Sequence, residues 1–240
     1  MQSTSPHRLH RLIILAVILF FTASAIAITV LLLQAPVTPP PGVHPAPKTR
    51  GAYTIHLAQA LAGIILTPLA GLLDRRSRLA IPPLPRSLFA IFLLCALGLG
   101  SAWSLCEVIA GWDKLLHASS AALLTLLGAG LLHSRLPNGK TDIGRTTTAG
   151  FCFAGTAGVF WEFFEFLVDS LLGLNSQRFR APDGTALCGQ AALLDTMGDL
   201  LTNTLGALGM ALILTLLFRH DSRRIDSLLP GIRPARSSLS

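Results

Sequence analysis

The stretch LIILAVILFFTASAIAITVLLL, residues 12–33, runs for 22 positions without one charged side chain. A hydrocarbon core about 30 Å thick is crossed by about 20 helical residues rising about 1.5 Å each. This run is therefore long enough to span a bilayer. Working outward, five more stretches meet the same requirement: 55–73, 88–110, 115–132, 147–172 and 196–218. Pro68 interrupts the second, which membrane helices tolerate because neighbouring groups re-satisfy the freed backbone. The expected fold is all-α, a polytopic bundle of six transmembrane helices.

Composition supports that reading. Charged residues make up 13% of the 240, against about 25% in soluble domains, and the mean hydropathy is +0.60. A disordered chain and a disulfide-rich secreted module are excluded, and an ordinary soluble enzyme fits poorly. The net charge is +7. Its basic residues lie between apolar runs, so they read as contacts to anionic lipids at the cytoplasmic face and not as a nucleic-acid surface.

With the N-terminus inside, 14 of the 19 lysines and arginines fall on cytoplasmic segments. The outer segments hold Lys48, Arg50, Lys114, Arg178 and Arg180. This obeys the positive-inside rule and places both termini in the cytoplasm. The first span also resembles a cleavable signal peptide, with small residues at Ala23, Ala25 and Ala27. Its apolar run exceeds the usual length of about 7–15 residues for such a region. Its removal would leave the remaining topology unchanged.

The chain divides by composition into 1–33, a basic N-terminus and first span; 34–54, an outer linker rich in proline; 55–87, the second span and a basic inner loop; 88–218, a four-span core; and 219–240, a basic, serine-rich tail. Cys95, Cys106, Cys152 and Cys188 form no CxxC pair. Three of them lie inside spans as small apolar residues, and a Cys106–Cys188 disulfide is conceivable. Gly128, Gly130, Gly206 and Gly209, with Ala207, are expected to allow close helix packing.

The acidic residues carry the functional signal. Seven of the twelve carboxylates fall in or beside spans three to six: Glu107, Asp113, Glu162, Glu165, Asp169, Asp195 and Asp199. On the expected topology all lie toward the outer face, as do His56 and Gln59, and the inner halves of the spans are uncharged. Glu162, Glu165 and Asp169 form one helical stripe; Asp195, Asp199 and Asn203 form a second; Asp113 and His117 form a third. Carboxylates in hydrocarbon cost several kcal/mol each, so such groups face an interior, a wet cavity or a partner. The candidate ligand-binding set is therefore Asp113, His117, Glu162, Glu165, Asp169, Asp195, Asp199 and Asn203, in an outward-facing pocket partly covered by the loop 173–194. His117, Lys114, Arg178 and Arg180 are available to balance its charge. A divalent metal ion is the candidate cofactor, with His117, Glu162, Glu165 and Asp199 as its ligands. No P-loop, HExxH, Rossmann or G-x-S-x-G pattern occurs.

Trp112-Asp113-Lys114-Leu115-Leu116-His117 resembles the Asp-Lys-x-x-His opening of VanZ-like membrane proteins. Asp199 to Ala207 resembles their Asp-x-x-x-Asn-x-x-Gly-Ala closing motif. Trp161-Glu162-Phe163-Phe164-Glu165 and Asp195-Thr196-Met197-Gly198-Asp199 are closer to the related YjdF-type inner-membrane proteins. The resemblance covers 88–218. It implies a multi-pass protein of the bacterial inner membrane with a cell-envelope role. Glu165 stands where VanZ-like proteins tend to have glutamine, and Ser120 and Ala121 where they often have an aromatic residue. Their drug resistance is therefore not implied.

Four functions compete on these residues. One is an accessory protein binding a polar or lipid-linked envelope molecule. Another is a metal-dependent enzyme acting on a lipid headgroup. The others are a carboxylate relay for transport, disfavoured by the uncharged inner halves, and a purely structural polar network.

Overall fold

In lipid an apolar segment must satisfy its own backbone, and a helix does so within one chain segment. A computed structural model of the protein describes residues 6–38, 48–76, 79–136, 142–181, 183–221 and 228–232. Its helices are α1 (Pro6–Gln34), α2 (Arg50–Arg76), α3 (Pro83–Leu93), α4 (Leu105–Val108), α5 (Trp112–His133), α6 (Ile143–Leu172) and α7 (Gln190–His220). A π-helical segment, Leu94–Ala102, prolongs α3. Two two-residue strands, β1 (Leu79–Ala80) and β2 (Gly231–Ile232), complete the regular structure among the described residues. Six helices are long and apolar enough to cross a membrane. Much of the expected linker, at 39–47, and of the tail, at 222–227 and 233–240, lies outside the described residues.

The chain forms two compact units, Met1–Trp112 and Asp113–Ser240. In the first, α1 turns Val17, Phe21, Ala25 and Ile28 toward a core shared with Ala60 of α2 and Ala90 and Leu93 of α3. The Phe21 ring lies where a side chain on Gly63 would stand. Polar ties join the helices: His10 Nδ1 lies 2.9 Å from Ser87 Oγ, and Trp103 Nε1 donates to Ser24 Oγ at 2.9 Å. α2 continues unbroken through Pro68. Lys48 donates to Ser104 Oγ and lies 3.2 Å from His56 Nε2, with Gln59 on the far side of that ring.

The third span differs in detail from the run 88–110. It begins at Pro83, where a proline suits the first helical turn, and ends at Ala102. Its second half widens to π-turns through LGLGS, where a Cβ on Gly100 would lie 2.7 Å from the Cys95 carbonyl oxygen. Trp112 Nε1 donates to that same carbonyl at 3.1 Å. The helix then stops at Ser104, whose φ of 63° is left-handed, and Glu107 falls on the short α4. Reading a steady 3.6-residue period could not show this stop.

In the second unit, small residues set the spacing of α5, α6 and α7. Ala121, Ala154 and Ala207 are completely buried together. A Cβ on Gly206 would strike the main chain of Ala118, and one on Gly150 would lie 2.5 Å from the Thr125 carbonyl oxygen. Gly128 lies against Phe153 and Gly130 against Pro230. Gly209 is the exception: open space surrounds it, so it is not a packing glycine. Large apolar side chains such as Phe160, Phe163, Leu201 and Leu212 are exposed, as lipid-facing surfaces require. No disulfide forms among the described residues.

Candidate functional site

The polar groups of the second unit gather where α5 begins, α6 ends and α7 begins. Asp113 and His117 occupy the first turns of α5, one above the other. Glu162 projects from α6 and is 4% exposed; Asp199 projects from α7 and is 1% exposed. Lys114 is the hub. Its ammonium donates to Asp195 Oδ1 and Asp199 Oδ1, each at 2.7 Å, and to the Asp195 carbonyl at 3.2 Å. Three donors meet three acceptors, so the lysine is fully used.

Arg178 completes the outer side. Its guanidinium lies 3.3 Å from Asp195 Oδ1 and 3.5 Å from Asp113 Oδ2. Asp113 thus divides its oxygens. Oδ2 faces Lys114 at 3.6 Å and Arg178, whereas Oδ1 faces His117 Nε2 at 3.8 Å. His117 Nε2 also lies 3.5 Å from Asp199 Oδ1, and its Nδ1 lies 4.0 Å from Glu162 Oε1. These separations exceed the about 3.2 Å limit of an ordinary hydrogen bond. The histidine therefore sits among three carboxylates without a short bond to any of them.

Neither carboxylate oxygen of Glu162 has a hydrogen-bond partner, although both are buried, and Asp195 Oδ2 is in the same condition. Gln177 Nε2 donates to the Glu162 carbonyl oxygen at 3.4 Å and to Thr196 Oγ1 at 3.1 Å. Asp113, Asp195 and Asp199 share two permanent cations, Lys114 and Arg178, and Glu162, a fourth carboxylate, faces His117 instead. One atom each from Asp113, His117 and Asp199 can be chosen so that all lie within 4.8 Å of one another, which is the spacing of a metal-binding group.

Other residues of the expected set do different work. Glu165 accepts from Trp161 Nε1 at 2.9 Å, on the surface of its own helix. Asp169 is buried but accepts from the backbone N–H groups of Ser176 and Gln177 at 2.7 and 2.9 Å, pinning the loop after α6. Asn203 donates to the Ala154 carbonyl at 3.3 Å and packs on Gly158, tying α7 to α6. Arg180 stacks over Phe179, with its guanidinium carbon 4.8 Å from the ring centroid. Gln177 and Thr196 are not legible in the sequence, because single neutral polar residues in a loop and at a helix start carry no pattern.

Six apolar membrane-length helices and a buried charge cluster define a multi-pass integral membrane protein. The chain belongs to the DUF2238 family of predicted membrane proteins, whose model matches residues 9–220. That match extends through the first two spans, beyond the 88–218 covered by the motifs, and the YjdF-type motifs are consistent with it. No curated protein and no solved structure matches the chain.

Proposed function

We propose that the protein is an accessory component of the bacterial inner membrane whose acidic and histidine cluster takes up a cation, and through it binds a polar or lipid-linked molecule of the envelope. One observation carries the reading. The Glu162 carboxylate is buried, on a helix of membrane-spanning length, with no hydrogen bond, beside a cluster in which carboxylates outnumber fixed cations. Such a group is too costly for packing alone and implies a positive partner that binds there. The positive-inside distribution puts the cluster toward the outer leaflet, where envelope molecules are found. The VanZ-like motifs at Asp113 to His117 and Asp199 to Ala207 support the same setting. The ion pairs made by Lys114 keep the site formed before the ligand arrives.

The test uses the full chain in nanodiscs of equimolar phosphatidylethanolamine and phosphatidylglycerol, with retained lipid read by native mass spectrometry. The wild type retains one head group over the other, and Asp199→Asn loses that preference while remaining folded. Equal retention of both lipids by the wild type, or an unchanged preference in the variant, contradicts the proposal.

A further inference from the structure

We propose that Asp113, His117 and Asp199 together bind a divalent first-row transition-metal ion, with Glu162 as the positioning carboxylate on the far side of the imidazole. The inference rests on the preceding reading only in that the cluster takes up a cation; it names which cation.

Distances separate the two chemistries a cation seat can serve. Two donors about 2.1 Å from one tetrahedral ion lie about 3.4 Å apart. Two acceptors about 2.8 Å from one ammonium nitrogen lie about 4.6 Å apart. His117 Nε2 stands 3.5 Å from Asp199 Oδ1 and 3.8 Å from Asp113 Oδ1. Those two separations suit a metal ion and are tight for an amine. The ammonium chemistry of this cluster is already supplied by Lys114, which bonds the same Asp199 oxygen that faces His117.

Glu162 is the independent sign. Its carboxylate is buried, lacks any hydrogen bond and faces His117 Nδ1. A carboxylate on that side favours the tautomer protonated at Nδ1, which leaves the Nε2 lone pair toward the two aspartates. The nitrogen lone pair then faces Asp113 Oδ1 and Asp199 Oδ1, of which Lys114 already bonds the second. Lys114 and Arg178 offset only part of the negative charge, and a cation between ring and aspartates offsets more. One imidazole among carboxylates favours manganese, iron, cobalt or zinc over magnesium or calcium, which take oxygen ligands. The metal set differs from the one expected from sequence: Asp113 replaces Glu165, and Glu162 moves from ligand to the support of one. Three protein ligands leave a position open for an exogenous oxygen, such as that of a phosphate or water.

The experiment is a Co2+ titration of the full chain, purified in detergent and stripped with EDTA, followed by visible absorption. The wild type develops ligand-field bands that saturate at one equivalent. His117→Ala and Asp199→Asn abolish them, and Glu162→Gln weakens binding by about 10–100-fold, as loss of a supporting carboxylate does. Helicity and gel filtration report folding of each variant. If His117→Ala fails to fold, Glu162→Gln alone decides, since it removes no ligand. Absent bands in folded wild type, or bands unchanged in the folded variants, overturn the inference. Head-group retention in nanodiscs is measured before and after EDTA. A preference that survives EDTA with no Co2+ bands rejects the metal and leaves the functional reading standing. Co2+ bands without any head-group preference reject the functional reading and support the metal.

Discussion

Lys114 and Asp199, 85 positions apart in sequence, meet at 2.7 Å at the start of α5 and in the buried face of α7. The same ammonium holds Asp195 at 2.7 Å, so one residue of α5 fixes the second and third turns of α7. Breaking a buried ion pair leaves an uncompensated charge, at a cost of about 3–5 kcal/mol. Lys114 is partly open to solvent, which places its loss at the low end. Lys114→Met is expected to lower thermal stability in detergent by that amount. Combining it with Asp199→Asn recovers part of the loss, because the stranded carboxylate is gone. Additive losses in this double-mutant cycle would show that the contact carries no coupling.

Asp169 serves the loop. Two backbone N–H groups, of Ser176 and Gln177, depend on its carboxylate. Asp169→Ala leaves both without that acceptor and is expected to cost about 1–3 kcal/mol locally. Limited proteolysis reads this as faster cleavage within 173–189. Metal or head-group binding should weaken less than in Asp199→Asn, since Asp169 touches neither His117 nor Lys114.

Gly206 and Gly209 separate packing from composition. A side chain at 206 meets the main chain of Ala118, whereas one at 209 meets open space. Gly206→Leu is expected to drive the second unit out of its packed form, seen as aggregation on gel filtration. Gly209→Ala should melt within about 2–4 °C of the wild type, the effect of about 1 kcal/mol in a domain of this size.

Cys188 reports orientation. It is exposed, in the loop between α6 and α7. In a variant keeping only this cysteine, a membrane-impermeant maleimide added to intact spheroplasts should modify it. Labelling only after permeabilisation would place the cluster on the cytoplasmic side and reverse the topology drawn from the arginines.

Much of the architecture was legible because a bilayer constrains it so tightly. Length and apolarity suffice to find a helix that lipid would otherwise leave unsatisfied. What stayed hidden was set by local geometry. The π-turns at Leu94–Ala102 break the period on which spacing arguments rest. The acidic stripe of α6 divides for a simple reason. At about 100° per residue, Asp169 lies about 20° from Glu162 around the helix, but Glu165 lies about 60° away. Glu162 and Asp169 accordingly face inward, while Glu165 bonds Trp161 on the outer surface. In sequence Asp113 stands only as the start of a stripe with His117. Only the fold shows that Lys114 and Arg178 occupy one oxygen of that aspartate and leave the other toward His117.

His117→Gln tests the central claim most directly, because the ion pairs of Lys114 and Arg178 do not pass through this ring. The measurement is head-group retention by the full chain in the mixed nanodiscs, beside its melting temperature. A cation-binding cluster predicts that the preference disappears while melting stays within about 4 °C of the wild type. A preference that survives the substitution in the folded protein would contradict the account.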